Sequence, residues 1–199
     1  MTDALLGTTG WVIREPTLGQ PPIAKAIPAP TVTANTSTLA AGTIASTRAP
    51  AGGSTPNVLG KIVKAVHPTY GEGEFIYAKG VASTLVGSLV TYNSLAPSTT
   101  LAPNTANLDA PVAVAMSVCT AGNYGWYQIA GLATILKTAV KVSPSVPLFL
   151  SATAGRVMST VASGKQIMNA ISNNAATVAS ATSTIVALIQ RPFAQGQKI

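Results

Sequence analysis

The chain has 199 residues, with 12 Lys and Arg against five Asp and Glu for a formal net charge of +7, a length that fits one domain or one domain plus a long arm. Ala (33), Thr (25) and Ser (16) make up more than a third of it, and no apolar run approaches the roughly 18–20 residues that span a bilayer, so no membrane span is expected. Five acids, one His and one Cys leave little material for a metal site or for acid–base catalysis.

Residues 1–56 hold seven of the fourteen prolines (Pro16, Pro21, Pro22, Pro28, Pro30, Pro50, Pro56) and one aromatic, Trp11. Each proline removes a backbone donor and restricts the residue before it, which excludes helix over most of this stretch. It reads as an extended, proline-rich N-terminal arm with linker-like segments at 36–42 and 49–56. Such an arm buries too little apolar surface to offset its ordering entropy. It is therefore expected to lie against another protein surface through Trp11, Ile13, Arg14, Ile23, Ile27 and Arg48. The alternative is an arm that packs on its own domain. The first residues lack a basic stretch followed by a long apolar one, so no secretory signal is expected.

From residue 57 to 199 the pattern is β. Strands are expected at 58–67, 74–79, 86–92, 112–118, 124–129, 132–137, 146–150, 155–158 and 184–190, the last stopped by Pro192. The interval 93–107 is rich in turn residues, and 165–182 reads as either strand or helical turn. Strands recurring about every ten residues with turns between them predict an all-β domain, a β-barrel or a β-sandwich.

Charge is uneven along the chain. Residues 110–199 carry six bases and no acid, a field suited to an acidic partner. The bases are scattered, with no dense basic stripe or interleaved aromatics, so direct nucleic-acid binding is not expected. Cys119 excludes an intrachain disulfide and reads as a small buried hydrophobe. His67, before Pro68, reads as an exposed or capping histidine at a strand end. Glu72 and Glu74 fall two apart, a spacing that puts both on one face of a strand, as a glycosidase or cation site would use, although a glycosidase pair normally comes from separate elements. They are expected instead to be surface charges on a glycine-flanked turn. There is no Gly-x-Ser-x-Gly and no phosphate-cradling loop, and an enzyme is not expected. The segment Gly122-Asn-Tyr-Gly-Trp-Tyr-Gln-Ile129 places Tyr124, Trp126 and Tyr127 on both sides of one strand. They are expected in the core of the β domain or at an oligomer contact.

The phrases Tyr70-Gly-Glu-Gly-Glu-Phe-Ile-Tyr77, Gly87-Ser-Leu-Val-Thr-Tyr92, Pro111-Val-Ala-Val-Ala-Met116, Tyr124-Gly-Trp-Tyr-Gln-Ile129, Pro147-Leu-Phe-Leu150 and Ile189-Gln-Arg-Pro-Phe193 together resemble small structural proteins of tailed bacteriophages, often capsid decoration (cement) proteins. The resemblance spans roughly residues 57–195 and leaves out the proline-rich arm. It implies a β-rich module on the outer surface of the phage head, bound to the major capsid protein as a homo-oligomer, with neither cofactor nor catalytic residues. A trimer is expected over a dimer, because shells offer three-fold sites. The alternatives are a head fibre or tail-tube protein and, last, a glycan-active enzyme using Glu72 and Glu74.

Overall fold

The computed structural model describes residues 11–14, 59–120 and 123–197. These form eleven strands and no helix: β1 (Val12–Ile13), β2 (Ile62–His67), β3 (Gly71–Lys79), β4 (Leu89–Tyr92), β5 (Thr99–Leu101), β6 (Ala110–Ala115), β7 (Tyr124–Leu136), β8 (Pro147–Leu150), β9 (Val157–Met158), β10 (Gln166–Ser172) and β11 (Thr184–Ala194). The protein is all-β, as its turn spacing predicts. The strands join in one sheet ordered β1-β2-β3-β7-β6-β11-β10-β8-β9, with β4 and β5 attached through β6.

Two expected breaks are absent. Residues 124–129 and 132–137 do not form separate strands, because β7 runs unbroken through Gly131. Gly131 sits at φ +98°, and a side chain there would collide with the Glu72 carbonyl. Glycine lets β7 turn sharply without leaving the ladder. Nor does Pro192 stop β11. Pairing with β7 ends at Gln190, and pairing with β6 begins at Phe193, so the missing N–H falls where β11 changes partner on that side. The turn-rich interval contains the short β5, and the ambiguous interval contains β10.

β6, β7 and β11 pair with one another, and all three pairings are antiparallel. Three mutually antiparallel strands cannot lie in a plane, so strand direction must turn at their junction. Arg191 supplies such a turn at φ 47°, opposite Asn169 at φ 57°, where the β10–β11 register shifts. The sheet then curls until Lys137, just past β7, bridges Val157 in β9. This closes a ring of β7, β11, β10, β8 and β9 and leaves no free edge along that side.

The core has three parts, sorted by alternation along the strands. Inside the ring, Ile135, Ile185, Ile189, Ile167, Leu148 and Val157 pack with Leu89, Val112 and Val114. The opposite faces of β4 and β6, Val90, Ala113 and Ala115, meet Ile76, Ala78, Tyr127 and Ile129. The far face of β3 and β7, Phe75, Tyr77 and Trp126, meets Trp11, Ile13, Val63 and Ala65. β3, β6 and the first half of β7 are thus buried on both faces, which accounts for the apolar run Ala110-Pro-Val-Ala-Val-Ala115. Among the described residues no helix is long and apolar enough to cross a membrane.

Candidate interaction site

β1 brings the N-terminal segment into the sheet. Val12 pairs with Val66 and Ile13 with Ala65, and the Arg14 N–H donates to the Lys64 carbonyl at 3.0 Å. Trp11 and Ile13 are buried. The Trp11 ring meets Phe75 edge-on at 4.9 Å and His67 at 5.2 Å, and it lies close over Gly73, where a Cβ would approach it to 3.0 Å. Glycine at 73 therefore gives the indole its seat. Of the expected anchors, Trp11 and Ile13 lie against the chain's own β2 and β3, and Arg14 is exposed. Ile23, Ile27 and Arg48 lie outside the described residues.

The β2–β3 hairpin turns through Pro68-Thr-Tyr70. The His67 Nδ1 accepts hydrogen bonds from the Thr69 and Tyr70 N–H groups at 3.0 and 3.2 Å, and its ring stacks on Tyr70 at 4.6 Å. His67 caps this turn, in keeping with the capping role its sequence position suggests.

Glu72 and Glu74 stand on β3, not on a turn. Both face away from Trp11, just beyond the point where the buried Ile76 and Ala78 end the apolar face. Glu72 Oε1 pairs with Arg14 Nη2 at 2.7 Å, and Glu74 Oε2 with Arg191 Nη2 at 2.9 Å, with Lys64 Nζ 4.0 Å from Glu74 Oε1. Lys64, Glu72, Glu74, Gln190 and Arg191 line a cleft of about 330 Å³ whose floor is Gly73, Ala130 and Gly131. Both carboxylates are thus committed to cationic partners. Exposed pairs of this kind contribute roughly 0–1 kcal/mol each to stability. They can exchange their partners for charges on an approaching protein at little cost. Glu74 and Arg191 are 117 positions apart, and no local signal joins them.

Of the aromatic residues on β7, Trp126 and Tyr127 are buried on opposite faces, and the half-buried Tyr124 stacks on Tyr77 at 6.3 Å. Tyr127 Oη lies 3.3 Å from Thr99 Oγ1 and 3.6 Å from Cys119 Sγ. Burial pushes the Tyr77 hydroxyl up to about 12, with a smaller contribution from Tyr124. The Tyr127 hydroxyl is raised as well, chiefly by burial. Cys119 is buried and forms no disulfide within the chain, behind Gly80, where a side chain would strike its sulfur.

Lys137 is the one buried lysine among the described residues. Its Nζ donates to the carbonyls of Val140 (2.8 Å), Ser180 (3.2 Å) and Thr138 (3.3 Å), and Arg156 Nη1 donates to the Lys137 carbonyl at 3.0 Å. Burial lowers its pKa. Its position was legible in the alternation of β7: Ala133 and Ile135 point inward, and 137 continues that series. The ammonium ties two loops together at the mouth of the ring. Among the described residues no group of three or more His, Cys, Asp or Glu is placed to hold a metal ion.

Neither the comparison with protein-family models nor that with curated proteins finds a match for this chain.

Proposed function

We propose that the chain is a decoration (cement) protein of a tailed-phage virion. It binds the outer surface of the major capsid shell as a homo-oligomer, a trimer in preference to a dimer, and holds the shell together through its proline-rich segment. The resemblance of the β domain to small phage structural proteins supports the virion setting. One observation carries the strapping role. On either side of the proline-rich segment the chain is tied to the same layer of the sheet: Arg14 is bonded to Lys64 on β2, and the Gly60 N–H donates to the Tyr77 carbonyl on β3 at 2.8 Å. The proline-rich segment 15–58, with all seven N-terminal prolines, joins these two fixed points. A proline-rich segment tethered at both ends presents a high local concentration of contacts to a neighbouring surface. The exchangeable pairs Arg14–Glu72 and Arg191–Glu74 lie on the same layer.

The test replaces residues 15–58 with a short Gly-Ser linker, which keeps β1 paired with β2 and Trp11 in place. Wild-type protein is expected to co-sediment with shells of its capsid protein, and the variant to fold but remain in the supernatant. Undiminished co-sedimentation of the folded variant would refute the strapping role. Absence of the wild-type chain from intact particles would refute the virion assignment.

A further inference from the structure

A second cleft, of about 450 Å³, opens between the turn before β10, the loop before β6 and the segment that follows β11. None of the nine residues lining it is charged. Five carry uncharged hydrogen-bonding side chains: Asn107, Ser163, Gln166, Gln195 and Gln197. Phe149 and the exposed Val161 supply an apolar wall. None of those five side chains makes a hydrogen bond with another described residue. Four carboxamides and a hydroxyl thus belong to residues lining one space, none of them bonded to another described residue.

The walls are held by backbone bonds, so the side chains are displayed on a fixed frame. The Asn107 N–H donates to the Gly164 carbonyl at 2.7 Å and the Gln195 N–H to the Gln166 carbonyl at 2.9 Å, with a longer bond from Asp109 to Gln195 at 3.4 Å. Gly164, at φ +71°, packs so closely that a Cβ would lie 2.6 Å from Asn107 Oδ1, and Asn107 itself is held at φ 54°. Two left-handed residues face each other across the joint, a conformation kept only where its surroundings impose it.

We propose that this cleft binds a neutral glycan. Each sugar hydroxyl is both donor and acceptor, as is each carboxamide, and the C–H face of a pyranose suits an apolar wall. A lining without charge selects against acidic polysaccharides and phosphate. An extended peptide would seek an open strand edge for its backbone, whereas here side chains line the space. No Trp or Tyr platform is present among the lining residues, so affinity for a single chain is expected in the millimolar range, with oligomerisation raising the avidity. The inference does not depend on capsid binding.

The test is an NMR titration of the full-length, 15N-labelled chain with maltohexaose, cellohexaose, mannohexaose and chitohexaose, reading the side-chain amide resonances of Asn107, Gln166, Gln195 and Gln197. At least one sugar is expected to shift these signals saturably, and equally in low and high salt. Gln195→Ala and the more exposed Gln197→Ala are each expected to weaken binding several-fold while the remaining spectrum stays that of the folded protein. The proposal is overturned if none of the four sugars gives a saturable shift, or if binding is unchanged in both folded variants. It is likewise overturned if only a neutral Gly-Ser peptide, added as a control, shifts the same resonances.

Discussion

Trp11 and Glu72 show how differently single residues fared between sequence and structure. An isolated tryptophan in a proline-rich stretch carries no information about which surface it meets, because its partner, Phe75, is 64 positions away and the seat is made by the absence of a side chain at Gly73. Trp11→Ala is expected to cost about 3–5 kcal/mol, the usual penalty for removing a buried tryptophan, read as a lowered urea midpoint at unchanged slope. Glu72 could be placed by its spacing from Glu74 alone, and their common face followed from it. Their cations could not be foreseen. Alkaline pH gives a second residue-scale prediction. The Tyr77 hydroxyl is raised from 10.0 to about 12, so the folded state holds a proton that the unfolded chain releases. That stability is complete below pH 10 and is lost as pH climbs toward 12. Lys137 acts with the opposite sign: its pKa is lowered from 10.5, so its contribution rises with pH until about 10.5. Urea unfolding between pH 8 and 12 should show a fall above pH 10 that is shallower in Tyr77→Phe.

At the scale of elements, type was legible and boundaries were not. Alternation of β-branched and polar residues identified most of the strands, since burial on one face imposes period two. β6 was found as an apolar run, because burial on both faces removes the alternation. The errors fell at glycine and proline, which punctuate a chain only when the surrounding sheet does not accommodate them. Gly131 and Pro192 both sit at changes of partner, and those depend on distant strands. β1, two residues long, carries no local signal at all. Its role gives a prediction that separates folding from binding. Removing residues 1–56 deletes β1 and strips Trp11 and Ile13 from the core, and should lower the thermal midpoint markedly. Replacing only 15–58 should leave it within a few degrees of wild type, as followed by circular dichroism.

The described residues form one sheet folded over three apolar clusters that share strands. β7 serves all three clusters, and β3, β4 and β6 serve two each. Clusters joined in this way cannot melt separately. Far- and near-ultraviolet circular dichroism are expected to report a single coincident thermal transition; two resolved transitions would show the β1–β3 layer to be an independent unit. Composition anticipated the small side chains that pack here, such as Ala113 and Ala115 against Tyr127, but not the closure of the ring, which rests on the bridge between Lys137 and Val157.

The mutual pairing of β6, β7 and β11 also bears on how the protein is made. β11 supplies partners to β6, β7 and β10, so none of these has its full complement of hydrogen bonds until residues 184–194 have left the ribosome. Until then the nascent chain exposes unpaired strand edges and half of its apolar interior, the condition in which β-rich chains fold slowly and associate wrongly. The β domain is thus withheld from its final form until β11 has been made. The emergence of β11 sets the moment at which the β domain can close.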